Sequence, residues 1–422
     1  MAKNSLITVY CFGTEIGRLG LDPDRGASFF QYNESFLQQG QYQRMFPLII
    51  RRISQTQVFD KYNNDTFRGL PPMFADSLPD LFGNIIFRTW MEQNHRDMKE
   101  ISALEQLAYV GTRGMGALEY QPCRTISADD TIDLSEIVTI VREVLDQKRQ
   151  TNARRLDHGS LLNIFKIGTS AGGARPKILV AEDKRTGNIV PGDIVYDENY
   201  RHYIVKLDLE EQAAYSRERV EYGYYLTATH AGINMMPSRM INERHFATLR
   251  FDRQGGKKKH VLTATGLTGW DYTDPKVSNY ENLFDLAVFL KCPHRDIEQL
   301  FRRMVFNLTF ANHDDHLKNQ SFIYDESRDS WELAPAYDLT YSLNPELNIK
   351  TRSRALSING KRTNINIDDL RLIADKYTVK NFRKIVAEIE ASVEYWQQTM
   401  KENQVPDSIV NAMRKNFQFF LV

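Results

Sequence analysis

Residues 312–319, Asn-His-Asp-Asp-His-Leu-Lys-Asn, decide which fold and which chemistry this sequence supports. They follow an apolar helical pattern and precede a short strand pattern at residues 321–324, a turn and then Asp338. Asp338 lies nineteen residues beyond Asn319, a distance that a hairpin closes. We therefore expect Asp314, Asn319 and Asp338 to meet in one place. Carboxylate and amide oxygens are the ligands that a hard cation such as Mg²⁺ prefers.

The spacing within this stretch is typical of phosphoryl transfer. Four residues separate Asp314 from Asn319, which is the Asp-x-x-x-x-Asn spacing of kinase catalytic loops. Phosphoryl transfer needs a carboxylate that orients the attacking hydroxyl and oxygen ligands that hold the metal. The pattern predicts that Asp314 is the catalytic carboxylate and that Asn319 and Asp338 are metal ligands.

Two other interpretations of residues 312–319 remain open at this point. His313 and His316 beside two aspartates resemble a metal-hydrolase cluster. Such a site needs further ligands, and neither His245 nor His294 has a partner at ligand spacing. A polar turn after a helix is the structural alternative, because Asn and Asp are ordinary turn residues. Both interpretations weaken when the other motifs of the chain are considered in order.

Three upstream features supply further groups that phosphoryl transfer uses. Residues 168–177, Gly-Thr-Ser-Ala-Gly-Gly-Ala-Arg-Pro-Lys, resemble a glycine-rich hairpin over nucleotide phosphates, although they lack the Gly-Lys-Ser/Thr of a Walker loop. Lys206 lies on a predicted strand and would contact the phosphates. Glu221, fifteen residues later on a predicted helix, would pair with Lys206. Taken singly, each feature is more often a turn, an exposed lysine or a solvated helix charge.

Composition places the chain among ordinary globular proteins and excludes several functional classes. Its 422 residues suggest two or three domains. Lys plus Arg and Asp plus Glu both number 54, and this neutral balance excludes a wholly basic nucleic-acid coat. Three widely spaced cysteines exclude a zinc ribbon and a disulfide framework. The sequence has no signal-like or membrane-spanning apolar run, so we expect a cytoplasmic protein without membrane contact.

The order of the element patterns predicts an α+β fold with two lobes. Strand patterns dominate up to about residue 70 and again from residue 164 to about 260, whereas helical patterns dominate after about residue 279. A basic run, Lys-Lys-Lys-His at residues 257–260, follows Gly255-Gly256 and predicts a solvent-exposed hairpin tip. Contact of this run with DNA phosphates is the alternative.

Together these motifs resemble those of the HipA family, the serine/threonine kinase toxins of bacterial toxin–antitoxin modules. The resemblance extends over almost the whole chain. Its segments are residues 69–72, 77–80, 111–118, 170–177, 250–253, 314–319, 333–342 and 359–362. The family implies a two-lobed, protein-kinase-like fold. Its parts would be a β-rich amino-terminal subdomain over 1–120, a kinase N-lobe-like part with the glycine-rich loop over 121–253, and a mainly helical carboxy-terminal lobe over 254–422.

The resemblance also assigns a role to each motif residue. Asp314 would be catalytic, and Asn319 and Asp338 would hold Mg²⁺. Glu221 would pair with the phosphate-binding lysine, and Ser170 would be a site of autophosphorylation. Leu249 to Phe251 would be the hinge that meets adenine through backbone groups. The residues implied in ATP binding are Gly172, Gly173, Ala174, Lys177, Lys206, Leu249, Arg250, Phe251, His316, Lys318, Asn319, Tyr337 and Asp338.

The activity that the resemblance implies is ATP- and Mg²⁺-dependent phosphorylation of protein serine or threonine. An aminoacyl-tRNA synthetase is the implied substrate, and arrest of translation is the implied outcome. The implied partner is a small helix-turn-helix antitoxin of the HipB type, which would make the contact with DNA, in the bacterial cytoplasm. Two rivals remain. One is a non-catalytic HipA-like regulator in an antitoxin–DNA complex, and the other is a small-molecule or lipid kinase, because Asp-x-His-x-x-Asn also resembles lipid kinases.

Overall fold

A computed structural model describes residues 6–22, 24–79, 101–122, 137–139, 141–142, 175–192, 197–209, 213–345 and 353–421. The strands are β1 (Leu6–Cys11), β2 (Thr14–Asp22), β3 (Ala27–Tyr32), β4 (Gln57–Phe59), β5 (Leu118–Gln121), β6 (Lys177–Asp183), β7 (Ile189–Pro191), β8 (Tyr200–Lys206), β9 (Ser238–Ile241), β10 (His245–Leu249), β11 (Arg253–Gln254), β12 (Lys257–Lys258), β13 (His260–Thr263), β14 (Ser321–Asp325) and β15 (Ser330–Leu333). The α-helices are α1 (Glu34–Gln38), α2 (Pro72–Ala75), α3 (Ala103–Val110), α4 (Arg217–His230), α5 (Ala264–Thr268), α6 (Tyr280–Phe289), α7 (His294–Thr309), α8 (Ile367–Lys376), α9 (Phe382–Glu402) and α10 (Asp407–Arg414), and Leu317–Asn319 form a 3₁₀ helix.

The chain divides into two compact units. The first comprises Met1–Leu209, Ala247–Leu262 and Gly266–Gly269, and the second comprises Glu210–Phe246, Thr263–Thr265 and Trp270–Val422. The backbone therefore passes from one unit to the other several times. The domain boundaries at residues 120 and 253 that the family resemblance implies stay a prediction.

The amino-terminal sheet of the first unit is antiparallel throughout. Its strand order is β4-β3-β2-β1-β5. The side chains of Val9, Leu19 and Phe30 are completely buried. Alternate residues of a strand point to opposite faces, so these three residues mark the face that packs on the core. This sheet agrees with the β-rich start that the sequence predicts.

A second five-stranded sheet has the order β7-β6-β8-β10-β9. β6 and β8 pair antiparallel, with Lys177 directly opposite Lys206. At the end of β10, the backbone N–H of Arg250 donates to the carbonyl of His202 at 2.8 Å. The sheet thereby fixes the backbone at the predicted adenine-contacting segment.

A buried ion cluster follows β10. The Asp252 carboxylate accepts hydrogen bonds from Arg250 at 2.9 and 2.8 Å and from Arg253 at 2.7 Å. Burial alone would raise the pKa of Asp252, but the two guanidinium groups hold it well below its ordinary value. The N–H of Gly116 donates to the same carboxylate at 2.8 Å, and Arg253 donates to the carbonyls of Gly114 and Gly116. The cluster thus connects two distant parts of the sequence within one unit.

The basic hairpin differs from the exposed tip that the sequence predicts. β11 and β12 do pair around Gly255-Gly256, but of residues 257–260 only Lys257 is exposed. Lys258 donates to the Glu119 carboxylate at 2.7 Å, and burial lowers the pKa of Lys258 to about 8. His260 is completely buried. Side chains along a strand alternate between the two faces of the sheet, so every second residue of this run points inwards.

The second unit is built on helices around an aromatic core. At Gly223 on α4, a Cβ atom would lie 2.6 Å from the terminal methyl group of Met400 on α9, so a larger residue there would force this side chain to move. The Tyr224 ring meets Phe310 and Trp396 edge-on, with centroids 5.9 and 6.3 Å apart. The Tyr224 hydroxyl also donates to the carbonyl of Phe310 at 2.7 Å. These contacts fix the chain where α7 ends and the stretch at residue 312 begins.

The longest described helix, α9, is amphipathic. Ile385, Ile389, Val393 and Trp396 share its buried face, as their spacing of three to four residues requires. Within the described part of the chain, no helix combines the length and the hydropathy that a membrane span requires.

The first unit should lose stability in mild acid because His202 is held neutral. Burial, followed by the charge of Arg250, lowers the pKa of His202 to about 4. Below about pH 6.5 the unfolded chain binds a proton that the folded chain excludes, so the free energy of unfolding falls by up to about 1.4 kcal/mol per pH unit down to about pH 4. The free energy of unfolding, measured with urea, should fall less between pH 7 and pH 5 in His202→Gln than in the wild-type protein. We expect the difference to be roughly 1–2 kcal/mol.

The exposed His230 provides the control for this experiment. His230→Gln should leave the pH dependence of the wild-type protein intact. Equal pH dependence in the wild-type and His202→Gln proteins would contradict the prediction.

Candidate active site

Residues 312–319 fold into a tight loop that separates two adjacent aspartates. Asp314 is exposed, whereas Asp315 is only 1% exposed. Asn312 shapes the turn: its N–H donates to the carbonyl of Asn307 at 3.0 Å, and its Oδ1 accepts from the N–H of Asp314 at 3.3 Å. The loop presents one carboxylate to solvent and directs the other into the interior of the second unit.

The side chain of Asn319 is bound to the same loop as Asp314. Its Nδ2 donates to the carbonyl of Asp314 at 2.9 Å, and its backbone N–H donates to the carbonyl of His316 at 2.9 Å. Among the described residues, no donor reaches the Oδ1 of Asn319. The loop therefore holds an amide oxygen beside Asp314 that has the chemistry of a Mg²⁺ ligand.

The hairpin that the sequence predicts brings Tyr337, the residue before Asp338, back to this loop. β14 and β15 pair antiparallel, which confirms the hairpin. Beyond it, the hydroxyl of Tyr337 donates to the carbonyl of Lys318 at 2.7 Å and lies 2.6 Å from Ser321 Oγ. Asp338 has φ +56°, in the left-handed region that residues other than glycine seldom adopt. Such backbone conformations concentrate at functional sites, where the surrounding contacts enforce them.

Asp315 is the buried anchor of the loop at residues 312–319, the candidate catalytic loop. The Tyr280 hydroxyl donates to its Oδ2 at 2.7 Å, and the N–H of Leu356 donates to its Oδ1 at 3.2 Å. The Arg354 guanidinium lies 3.8 Å from the same carboxylate. Burial, followed by the Asp315 charge, raises the pKa of Tyr280 well above its ordinary value, so the hydroxyl stays a donor. The buried carboxylate is thereby both paired and hydrogen-bonded.

Arg354 and Ala355 also hold the backbone of the catalytic loop. The N–H of Ala355 donates to the carbonyl of His313 at 2.8 Å. The Arg354 guanidinium donates to the carbonyls of Asn307 and Asn312 at 3.3 and 3.5 Å. The loop is therefore held along its backbone as well as at Asp315.

Arg362 extends this arrangement to a second loop. Its guanidinium donates to the carbonyls of Arg354 and Ala355 and, at 2.9 Å each, to those of Pro275 and Ser278. The loop at residues 270–279 and the segment that supports Asp314 are thus held by one side chain. His316 and Lys318, both half-buried, lie against the ring of Tyr272 in that loop.

In the first unit, Lys177 and Lys206 form a buried cross-strand pair. Only 4% of Lys177 and 8% of Lys206 is exposed, and the register places them opposite each other on one face of the sheet. Whether this lysine pair binds phosphate stays a prediction.

The other predicted ATP contacts of the first unit lie at the end of β10. The guanidinium of Arg250 pairs with Asp252, and its N–H belongs to the sheet. Leu249 and Phe251 are half-buried on either side of it. The contact of residues 249–251 with adenine stays a prediction.

The predicted partner of Lys206 belongs to the second unit. Glu221 lies on α4 and is 2% exposed. The pairing of Lys206 with Glu221 stays a prediction. Gly172, Gly173, Ala174 and the predicted phosphorylation site Ser170 lie outside the described residues.

The metal-hydrolase interpretation gains no support from the structure. Across the described ranges, no group of three or more His, Cys, Asp or Glu side chains is arranged to hold a metal ion. A site that combines one carboxylate with an asparagine amide is of another type, and Asn319 with Asp338 has that composition. Whether these two residues bind Mg²⁺ stays a prediction.

Sequence reasoning missed three residues that shape the site: Tyr272, Tyr280 and Arg354. Tyr280 and Arg354 contact Asp315 from 35 and 39 residues away in the sequence. No local motif marks them, because their role comes from tertiary packing. A signal did exist for Tyr280, since Asn279 before it caps α6 and thereby fixes where the tyrosine lies.

Two family models match the chain. The HipA N-terminal domain matches residues 7–121, and the HipA-like C-terminal domain matches residues 169–397, which is more than half of the chain. The chain belongs to the HipA family. No curated protein sequence matches this HipA protein significantly.

Solved structures add evidence on the fold. A chain from the complex of Shewanella oneidensis MR-1 HipA and HipB with operator DNA has a TM-score of 0.65 and 16% identity, over 97% of this HipA chain and 95% of that chain. The Helicobacter pylori proinflammatory kinase CtkA has a TM-score of 0.35 and 11% identity, over 51% of this chain and 85% of CtkA, which is too weak a likeness to support an argument. The Shewanella structure shows the fold of HipA proteins and confirms the predicted two-lobed α+β class.

The two adjacent aspartates should differ sharply in their effect on stability. Asp315→Ala leaves a buried guanidinium, a hydroxyl and an N–H without their acceptor, so we expect it to lower the free energy of unfolding by about 3 kcal/mol or more. Asp314→Ala removes an exposed carboxylate and should change it by less than about 0.5 kcal/mol. Urea unfolding of both variants at pH 7 measures the difference. Equal losses would refute the assignment of Asp315 as the anchor.

Proposed function

We propose that this HipA protein is an ATP- and Mg²⁺-dependent protein serine/threonine kinase. The observation that supports this best is the catalytic loop, in which exposed Asp314 and the bound amide of Asn319 share one turn. The hairpin and the Tyr337–Lys318 hydrogen bond then return the chain to this turn directly before Asp338. These are the groups that phosphoryl transfer to a hydroxyl requires, in the chain order of kinases.

In the proposed mechanism, Asp314 orients the acceptor hydroxyl and accepts its proton. The exposed carboxylate is free to approach a protein substrate, while Asp315 holds its backbone in place. A rigidly held carboxylate at the point of attack contributes through positioning as well as through proton transfer. Lys318, two residues from His316, would offset negative charge on the transferred phosphoryl group.

The residues at the proposed metal site fit Mg²⁺. Asn319 offers an amide oxygen that no described donor reaches, and Asp338 offers a carboxylate on an enforced backbone conformation. Both are hard oxygen donors, and a site with only a few protein ligands leaves room for water and phosphate oxygens. When bound, Mg²⁺ would neutralise charge on the triphosphate. Asn319 and Asp338 would hold it.

Lys177 and Lys206 are our candidates for binding ATP phosphates. Their side chains are buried and share one face of the sheet in the first unit. Two lysines on one face carry the charge that a polyphosphate would pair with, which supports their assignment to ATP. The proposal includes the glycine-rich residues at 172–174 as backbone donors to the same phosphates.

We propose that the kinase acts as the toxin of a HipBA-type module. The Shewanella protein was solved with HipB and operator DNA, and by analogy a small HipB-type antitoxin would be the partner of this chain. DNA contact would then come mainly through the antitoxin, consistent with the balanced charge of this chain. A protein such as an aminoacyl-tRNA synthetase would be the substrate. Phosphorylation of Ser170 would add roughly two negative charges near the phosphate-binding groups and oppose ATP binding.

Asp314→Asn tests catalysis. The amide keeps the shape of the side chain but cannot accept the hydroxyl proton, so phosphotransfer should fall by about 10²- to 10⁴-fold while ATP still binds. Transfer from γ-labelled ATP and ATP affinity measure the two effects. Phosphoproteins present with the wild-type protein and absent with Asp314→Asn, after controlled expression in cells, would identify the substrate.

Asp368→Asn is a matched control, because this acid of the second unit is also exposed. It should leave phosphotransfer unchanged. Phosphotransfer by Asp314→Asn at the level of this control would contradict the kinase proposal.

Asp338→Asn tests the metal site. Asparagine tolerates positive φ, so the backbone should persist while the carboxylate charge is lost. We expect ATP affinity in Mg²⁺ to fall to the value measured with excess EDTA, and the wild-type protein to keep its Mg²⁺ dependence. If Asp338→Asn binds ATP with an undiminished response to Mg²⁺ in calorimetry, Asp338 is not a metal ligand.

A further inference from the structure

Tyr272 faces two side chains of the catalytic loop. Its ring lies 5.1 Å from the ring of His316, measured between centroids, at an angle of 52°. The Lys318 Nζ lies 5.6 Å from the centre of the same ring. An ammonium within about 6 Å of an aromatic face is attracted by the ring quadrupole. One aromatic ring therefore contacts both functional side chains that follow Asp314.

The loop that carries Tyr272 is rigidly built. Asp271 Oδ1 accepts from the N–H of Thr273 at 3.0 Å and from its hydroxyl at 2.8 Å. The carbonyl of Tyr272 accepts from Ser278 Oγ at 3.1 Å. Arg362 binds the carbonyls of the same loop and of the segment that supports Asp314. The ring position is thus fixed by the same contacts that fix the catalytic loop.

The aromatic face of Tyr272, not its hydroxyl, makes these contacts. Within the described residues, the hydroxyl has no hydrogen-bond partner. Burial, followed by the negative charges of Asp271 and Asp314, raises the pKa of Tyr272, so the hydroxyl stays protonated.

We propose that Tyr272 is a positioning residue for phosphoryl transfer, whose ring holds the Lys318 ammonium and the His316 imidazole beside Asp314. This inference rests on the kinase function proposed above. A lysine head on four methylene groups has many rotamers, and fixing it before the reaction lowers the cost of using its charge in the transition state. Tyr272 itself exchanges no proton and forms no bond.

A pair of substitutions separates the ring from the hydroxyl. Tyr272→Phe keeps the aromatic face, and Tyr272→Leu replaces it with an aliphatic group. We expect kcat for transfer from γ-labelled ATP, scored as label on protein plus released phosphate, to stay within twofold in Tyr272→Phe. In Tyr272→Leu it should fall by about three- to thirtyfold, the range that a cation–π contact supplies. ATP affinity should be unchanged in both variants.

Two further measurements exclude a merely structural role. Thr273→Ala removes a loop hydrogen bond but leaves the ring, and it should keep wild-type kcat. Tyr272→Leu should lower kcat by a factor at least threefold smaller in a Lys318→Gln background than in the wild-type background. The reason is that the Lys318→Gln protein lacks the ammonium that the ring holds. The His316 ring resonances in NMR spectra should shift in Tyr272→Leu and not in Thr273→Ala.

The outcomes distinguish this inference from the function on which it rests. A wild-type protein that binds ATP but transfers no phosphate overturns the kinase proposal and Tyr272's role with it. An active wild-type protein with equal kcat in Tyr272→Leu and Tyr272→Phe overturns the role of Tyr272 alone. The role of Tyr272 is also overturned if Tyr272→Leu lowers kcat by the same factor in the Lys318→Gln background as in the wild-type background.

Discussion

The buried carboxylate of Asp315 is the constraint on which the loop at residues 312–319 depends. A carboxylate without water needs partners for its charge and its lone pairs, and Tyr280, Leu356 and Arg354 provide them. The partners come from two separate places in the sequence, so satisfying one side chain draws helix α6 and the segment at residues 354–356 to the loop at residues 312–319. Asp314 gains its position from this arrangement without making those contacts itself.

The neighbouring aspartates show how burial divides roles between identical side chains. In the tight turn, Asp315 faces the interior while Asp314 faces solvent. A buried carboxylate has to be satisfied internally, whereas an exposed one stays accessible to other molecules. One turn thus holds an exposed carboxylate on a firmly bound backbone, which is the arrangement that the proposed catalytic role of Asp314 requires.

Local chemistry explains which parts of the molecule could be predicted from the sequence. The loop at 312–319 and the hairpin to Asp338 depend on spacing and turn residues, and both were visible. The roles of Tyr280, Tyr272 and Arg354 depend on packing between distant segments, which one sequence does not display. Strand alternation is a local signal that Lys258 points inwards, but the run of neighbouring lysines predicted an exposed segment instead. Lys177 and Lys206 lie opposite each other because of the register of two strands, which one sequence does not display.

The Asp252 ion cluster has a consequence for synthesis of the chain. The first unit includes residues 247–262, which emerge from the ribosome after part of the second unit has already been made. Until Asp252 and Arg253 arrive, the N–H of Gly116 and the carbonyl of Gly114 lack their partners, 136 and 139 residues away. Contacts of such separation form slowly. Folding of the amino-terminal unit is therefore completed only after translation has passed it, and a ribosome that stalls before residue 247 leaves it unfinished.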